Sequence, residues 1–237
     1  MEKIRLDKYL ADMGQGTRSE VKKWIRKGAV SVNGETVKSP EYKVNCPSDQ
    51  VSIQGRQVQY EKFEYYMLNK PAGTVSARED SKEPTVLDLI RSKKRKDLFP
   101  VGRLDKDTEG LLLITNDGAL AHDLLSPKKH VDKTYFVQLL KELKEEEKEQ
   151  LEKGVDIGDE KPTLPAEVIF SEKKDQVYIT IREGRFHQIK RMFHAVDNQV
   201  VYLKRVSMGS LKLDEKLLPG DYRVLTKEEI EGLREHA

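Results

Sequence analysis

Residues 101–118 have the sequence VGRLDKDTEGLLLITNDG, a polar loop followed directly by an apolar run. An apolar run closed by Asn-Asp-Gly is typical of a strand buried on both faces, so the core would anchor the loop before it. Asp105 on this loop, with Arg103 two residues away, would stay ionised and could act as a nucleophile or general base. Asp107 and Glu109 are equally suitable by this chemistry, and a loop ion pair that only shapes the turn remains an alternative.

A second group of polar residues occurs at 183–194, EGRFHQIKRMFH. A helix beginning at Arg185 would place Phe186, Ile189 and Phe193 on one apolar face. Lys190 would then lie about 40° from Phe186 around the helix, beside the buried stripe. A lysine in that position needs an anionic partner, unless it is an ordinary snorkelling lysine.

The first sixty residues are predicted to form a small module of two helices and a hairpin. Apolar residues recur at helical spacing as far as Gly14-Gln15-Gly16, and Thr17 to Glu20 have the spacing of a capping box. Asn33-Gly34 favours a tight hairpin turn, which residues 51–53 would close into a sheet. A polar stretch at 55–62 is typical of a linker. The boundary is therefore placed near Tyr60, with one domain at 1–60 and another at 61–237.

The second domain is predicted to be mixed in secondary structure. Strand-like segments occur at 63–68, 133–140 and 176–181, a short helix is expected at 86–90, and a charged helix is expected at about 141–153. The predicted fold class is α+β. A small αα-hairpin module precedes a larger domain with a mixed, mainly antiparallel β-sheet.

The net charge of +2 conceals strong local segregation. Residues 1–60 contain eleven basic and seven acidic side chains, and residues 91–106 and 182–212 each contain seven basic and two acidic ones. Residues 141–161 contain five basic and nine acidic side chains. The basic stretches favour a polyanionic partner, although solvated helix faces would give similar counts.

Several classes of protein are excluded by what the sequence lacks. It contains no phosphate-binding glycine motif, no His-Glu-x-x-His and no paired cysteines, so we expect no cofactor and no metal. No apolar run approaches ~18 residues, so no membrane span is expected. With Cys46 as its one cysteine and no signal-peptide pattern at its start, the chain is expected to be cytoplasmic.

The N-terminal module resembles the S4 RNA-binding domain. The pattern R-L-D-K-x-L occurs at residues 5–10, followed by T-R-S-E at 17–20 and V-x-V-N-G at 30–34. The resemblance implies that the basic side chains of the two helices bind phosphates of structured RNA. These candidates are Arg5, Lys8, Arg18, Lys22, Arg26 and Lys27.

Nearly the whole chain resembles the RsuA branch of the pseudouridine synthases, which have an N-terminal S4 domain. The motifs are L-N-K-P-x-G at residues 68–73, G-R-L-D at 102–105, K-T-Y at 133–135 and E-G-R-x-H-Q-I-K-R-M-F at 183–193. The resemblance implies an isomerase that needs no cofactor. Its expected substrate is ribosomal RNA, free or in an assembling 30S subunit, and we expect a monomer.

The resemblance also implies roles for individual residues. Asp105 would attack the flipped nucleotide, Tyr135 would stack on the target base and assist proton transfer, and Lys190 would pair with Asp105. Leu203 would form a wall of the pocket and Arg103 would help to open the RNA. Arg185 and Arg191 are further candidates for RNA contact.

Three alternatives remain at this point. The tyrosine-rich entry at 65–71 and the ending at 218–223 resemble enzymes directed to 16S rRNA, but a 23S rRNA synthase of the same family is the second candidate. The S4-like module alone would also suit a non-catalytic rRNA-binding assembly factor. A glycoside hydrolase using Asp105 and Asp107 is disfavoured, because side chains two residues apart are rarely placed on opposite sides of a sugar.

Overall fold

The computed structural model describes residues 3–46 and 48–235. The chain divides into two compact units, one formed by Met1–Glu64 with Arg91–Leu98 and the other by Tyr65–Ile90 with Phe99–Ala237. Residues 91–98, which lie within the predicted second domain, therefore pack within the first unit. Within the described part of the chain, no helix has the length and apolar character of a membrane span.

The first unit contains two helices and short strands. Their bounds are β1 Lys3–Arg5, α1 Leu6–Asp12, α2 Arg18–Arg26, β2 Val30–Val32, β3 Glu35–Thr36, β4 Lys43–Asn45, β5 Val51–Ile53 and β6 Arg56–Val58. Strands β3, β2, β5 and β6 form one antiparallel sheet in that order, and β1 pairs with β4.

The start of α2 confirms the predicted capping box. Glu20 N donates to Thr17 Oγ1 at 3.3 Å, and Thr17 N donates to the Glu20 carboxylate at 2.8 Å. Val21 and Ile25 of α2 and Leu6, Tyr9 and Leu10 of α1 are buried, so the two helices share one apolar core with the sheet. The hairpin and its closure by residues 51–53 are also confirmed, since Val30 pairs with Ile53.

Arg95 holds residues 91–98 in the first unit. Its side chain is 5% exposed, donates to the Asp97 carboxylate and to the Glu61 carbonyl oxygen, and lies 3.6 Å from Asp12. The guanidinium also lies over the ring of Tyr60, 5.8 Å from the centroid. The segment is thus fixed by charge and aromatic contact at Arg95, together with the buried Leu98.

The second unit is built on a nine-stranded sheet. Its elements are β7 Tyr65–Lys70, β8 Phe99–Pro100, β9 Glu109–Thr115, α3 Gly118–Leu125, β10 Lys133–Leu139, α4 Glu145–Lys153, β11 Glu167–Phe170, β12 Gln176–Ile181, α5 Gln188–Ala195, β13 Val200–Met208, β14 Leu211–Lys212, β15 Tyr222–Val224 and α6 Lys227–Glu235. The main path of the sheet is β11-β12-β10-β13-β9-β7-β15, with β14 beside β13 and β8 beside β9.

The predicted α+β class with a mainly antiparallel sheet is confirmed. Of the ladders in this sheet, the β9–β13 pairing is parallel and the others are antiparallel. Residues 110–115 of β9 are buried throughout, as the apolar run predicts for a strand covered on both faces.

The short helix expected at 86–90 is wrong. Thr85 N and Oγ1 both donate to the Asp88 carboxylate, at 2.8 and 2.9 Å, and Ile90 N donates to the Leu87 carbonyl oxygen at 3.3 Å. These local bonds favour successive turns over an α-helix.

Candidate active site

The loop before β9 is held on both sides by backbone hydrogen bonds. Val101 N donates to Leu113 O at 2.8 Å, and Gly73 N donates to Lys106 O at 2.7 Å. Ser76 Oγ accepts from Leu104 N at 3.0 Å and donates to Leu104 O at 2.8 Å. Asp105 therefore lies on an anchored loop, as the sequence indicates, with its side chain 27% exposed.

Lys70, at the end of β7, binds the backbone of the same loop through its side chain. The side chain is fully buried, and its ammonium donates to the carbonyl oxygens of Lys106 at 3.2 Å and Thr108 at 2.8 Å. Burial lowers the pKa of Lys70 to about 8, although the charges of Asp107 and Asp105 oppose this effect. Sequence reasoning gave Lys70 no role of its own. The sequence feature that could have indicated a buried lysine is its position at the end of an otherwise nearly apolar strand.

Gly110 permits the close approach of β9 to β13. Its φ is +99°, and a Cβ at this position would overlap the carbonyl oxygen of Arg205 and lie 2.8 Å from Arg205 N. Any side chain would therefore push apart the strands next to the Asp105 loop.

Lys190 contacts two of the three candidate carboxylates. Its ammonium lies 3.2 Å from Asp105 Oδ2 and 2.6 Å from Asp107 Oδ1. Burial lowers the pKa of Lys190, but the Asp107 hydrogen bond and the Asp105 charge outweigh burial and raise the pKa above its usual value. The bond from Lys190 likewise holds the pKa of Asp107 below its usual range. Glu109 is engaged elsewhere, since it accepts from the Tyr202 hydroxyl at 2.7 Å.

The structure does not pair Arg103 with Asp105. Arg103 is exposed and makes no hydrogen bond or ion pair within residues 3–46 and 48–235. Asp105 lies instead beside the Lys190 ammonium, at 3.2 Å, and the His187 imidazole, whose Nε2 lies 3.7 Å from Asp105 Oδ1. The predicted neighbour of Asp105, Arg103, is thus replaced by side chains that are distant in the sequence.

Helix α5 begins later than predicted, and this changes the position of Phe186. The helix starts at Gln188, with His187 at its N-cap in the left-handed region at φ +48°. Phe186 therefore precedes the helix and is 74% exposed, so its expected place on the buried face is wrong. Met192 completes that face with Ile189 and Phe193.

Tyr135 and Leu203 lie in adjacent strands of the sheet. Tyr135 of β10 pairs with Arg205 of β13, and Leu203 pairs with Val137. Both Tyr135 and Leu203 are buried, at 8% and 6% exposure. Arg205 also pairs with Gly110 at the start of β9. One strand, β13, therefore separates Tyr135 from the start of β9 and the Asp105 loop.

Arg185 and Arg191 are bound to other parts of the protein. Arg185 donates to the carbonyl oxygens of Lys161 at 2.6 Å and Pro162 at 2.8 Å. Arg191 donates to the Asp159 carboxylate at 2.6 Å and to Phe186 O at 2.8 Å. Their predicted contact with RNA stays a prediction, and in the free protein they hold the 157–162 loop against α5.

In the first unit, three of the predicted RNA-binding cations surround one buried carboxylate. Asp7 is fully buried and lies 2.9 Å from Arg5, 3.5 Å from Arg18 and 3.8 Å from Lys22. Burial raises the pKa of Asp7, but the bond from Arg5 and the charge of Arg18 outweigh it, so that the pKa is lowered. The other predicted cations are Lys8, which pairs with Asp12, and the exposed Arg26 and Lys27.

The described residues contain no cluster of three or more histidine, cysteine or carboxylate side chains with the geometry to hold a metal ion.

Comparison with known proteins identifies both units. Residues 64–195 match the RNA pseudouridylate synthase family and residues 4–51 match the S4 domain. An uncharacterised RNA pseudouridine synthase of Bacillus subtilis (strain 168) is 50% identical over 236 residues, covering 98% of this chain and 99% of that protein. The ribosomal small subunit pseudouridine synthase A of Escherichia coli (strain K12) is 41% identical over 228 residues, covering 96% and 98%.

A solved structure agrees with these sequence matches. The crystal structure of a pseudouridylate synthase is 40% identical to this chain and superimposes with a TM-score of 0.69, covering 97% of this chain and 99% of that one. The chain therefore belongs to the RNA pseudouridine synthase family. It is an isomerase with an S4 domain, and the predicted resemblance to the RsuA branch is confirmed.

Proposed function

We propose that this enzyme converts a specific uridine of 16S ribosomal RNA into pseudouridine, with Asp105 as the nucleophile. The observation that supports this role is the Asp105–Lys190 ion pair at 3.2 Å, on a loop anchored by Lys70 and β9. Lys190 places an opposite charge beside the carboxylate that would attack the nucleotide.

The reaction rearranges one nucleotide without an external reactant. Uracil leaves the sugar at its N-glycosidic bond, rotates and rejoins through carbon 5. Carbon 5 then gives up its proton and N1 takes one up, so that the product is an isomer of the substrate. Tyr135 would stack on the base and assist that proton transfer, while Leu203 would form the apolar wall of the pocket. Neither the cleavage of the N-glycosidic bond nor the formation of the new bond to carbon 5 needs a redox partner.

A base within a helix cannot present its glycosidic bond to Asp105, so the nucleotide would have to be flipped out. Flipping costs a few kcal/mol, which stacking and phosphate contacts offset. Arg103 suits a role in opening the RNA, because it is exposed and has no partner in the described part of the chain. The cations around Asp7, with Arg26 and Lys27, would supply phosphate contacts from the S4 domain.

The choice of 16S rRNA rests on the relatives whose names state that they act on the ribosomal small subunit, including the Escherichia coli protein at 41% identity. The substrate would be free 16S rRNA or an assembling 30S subunit. The enzyme would act on it as a monomer in the cytoplasm.

The test is tritium release from rRNA labelled at carbon 5 of uridine, with 16S and 23S rRNA supplied separately, each as free RNA and within ribosomal subunits. We expect release from 16S rRNA alone. Release from 23S rRNA alone would contradict the proposal that 16S rRNA is the substrate. No release from either RNA, free or in subunits, would favour a non-catalytic assembly factor.

A further inference from the structure

Phe186 has the most exposed large apolar side chain in the described part of the protein, at 74%. It belongs to neither the core nor the catalytic residues proposed above. Its ring stacks on His187, with centroids 3.8 Å apart and planes 18° from parallel. Exposure of an aromatic face of this kind to water is unfavourable, and a partner that covers the face lowers the free energy.

The position of this ring pair is fixed by the surrounding backbone. His187 adopts φ +48°, a left-handed conformation that is costly for a residue with a side chain. Arg191 Nε donates to Phe186 O at 2.8 Å, and Arg185 N donates to the Gln188 side chain at 2.9 Å. These bonds hold the segment on both sides of Phe186, so the ring is presented at a defined place.

That place is beside the proposed nucleophile. His187 Nε2 lies 3.7 Å from Asp105 Oδ1, and Lys190 is one helical turn further along. The partner that covers Phe186 must therefore be flat, tolerate a cationic surface and come close to Asp105. A base within an RNA strand has all three properties, since it presents a π-face and its nucleotide is flanked by backbone phosphates.

We propose that Phe186, supported by His187, is a stacking platform for an RNA base that neighbours the target uridine. This inference deepens the proposed function and rests on it. Tyr135 differs in its role, because it is buried and is assigned to the target base itself. When the uridine leaves its stack, the adjacent base loses a stacking partner, and the ring of Phe186 replaces it.

The test compares Phe186→Ala, Phe186→Leu and Phe186→Tyr with wild type, using Kd for 16S rRNA transcribed in vitro and KM and kcat for tritium release. We expect Phe186→Ala and Phe186→Leu to raise Kd and KM about 5- to 100-fold, the range of one lost base stack. Phe186→Tyr should stay near wild type, because it keeps the aromatic face. The dependence of Kd on salt should not change in any of them, because no charge is removed.

Leu218→Ala is the matched control, since Leu218 is also exposed, at 69%, and lies outside the proposed site. It should leave Kd and KM unchanged. The proposal is overturned if Phe186→Leu binds as well as Phe186→Tyr, or if Phe186→Ala matches wild type. Should wild type bind the RNA but release no tritium, the proposed function fails, while the Kd series still tests whether Phe186 stacks on RNA.

Discussion

The Lys190 ammonium lies 3.2 Å from the Asp105 carboxylate, and the two side chains are about equally exposed, at 26% and 27%. The same ammonium lies 2.6 Å from Asp107, which is 72% exposed. Water screens the more exposed pair more strongly, so the shorter contact is not necessarily the stronger one. The proposed role of Asp105 as the catalytic partner of Lys190 is therefore compatible with the shorter contact that Lys190 makes to Asp107.

The first prediction concerns Lys190. Lys190→Met should lower kcat for pseudouridine formation at least about tenfold, which corresponds to about 1.4 kcal/mol in the barrier, because Asp105 loses its opposite charge. Lys190→Arg should restore part of the rate. Lys212→Met removes an exposed lysine of β14 and serves as the control. Equal losses at Lys190 and Lys212 would remove the ion-pair argument.

The second prediction concerns the pH dependence of folding stability. The pKa of Lys70 is about 8 in the folded protein, against an ordinary value of 10.5. Below pH 8 the folded state bears the full cost of a buried charge. Between pH 8 and 10.5 the unfolded chain binds more protons, so this cost is relieved and stability rises with pH.

Urea unfolding of wild type and Lys70→Met measures this effect. The difference in unfolding free energy should move in favour of wild type by up to about 3 kcal/mol between pH 8 and 10.5. Lys212→Met supplies the reference for an exposed lysine. A difference that stays constant across this range would contradict the account of Lys70.

The third prediction concerns Gly110. Gly110→Ala should destabilise the protein by about 3 kcal/mol or more, because the added Cβ would overlap the Arg205 backbone and strain a positive φ. Gly220→Ala is the matched control, since Gly220 has φ +94° with nothing within 4 Å of a Cβ, and should cost about 1–2 kcal/mol. Thermal unfolding checks both. Equal costs would show that close approach to β13 is not the reason for glycine at 110.

Local patterns predicted much of the fold. The capping box at Thr17, the Asn33-Gly34 hairpin and the buried strand β9 each depend on residues close together in sequence, and each was confirmed. The stretch at 91–106 was predicted to be basic from its sequence. The packing of residues 91–98 within the first unit was not predicted, because Arg95 reaches partners such as Asp12 that are distant in the chain.

The candidate site was also predicted only in part, since some of its features depend on contacts between residues that are distant in the chain. Asp105 and Lys190 followed from the motifs, and the structure brings them together. The buried Lys70 and the late start of α5 did not follow, because both depend on three-dimensional contacts. Periodicity placed Phe186 on a helix face, whereas the left-handed conformation of His187 starts the helix after it.

The fourth prediction concerns RNA binding by the S4 domain. Arg26 and Lys27 are exposed on α2 and just after it, so Arg26→Gln with Lys27→Gln should leave the fold intact. We expect weaker binding of 16S rRNA and a salt-dependence slope that falls by roughly 1.5, because two phosphate contacts are lost. Filter binding at several salt concentrations measures this. Lys173→Gln with Lys174→Gln is the control, and an equal fall there would indicate nonspecific charge.

In the proposed mechanism Asp105, rather than the neighbouring Asp107, performs the chemistry. This role of Asp105 is tested most directly by tritium release from 16S rRNA with Asp105→Asn and Asp107→Asn, alongside RNA binding by each variant. Asparagine keeps the shape of the side chain but removes the nucleophilic carboxylate. We predict that Asp105→Asn binds RNA and releases no tritium, whereas Asp107→Asn stays within about tenfold of wild type. Turnover near wild type in Asp105→Asn, or its loss only in Asp107→Asn, would contradict the account.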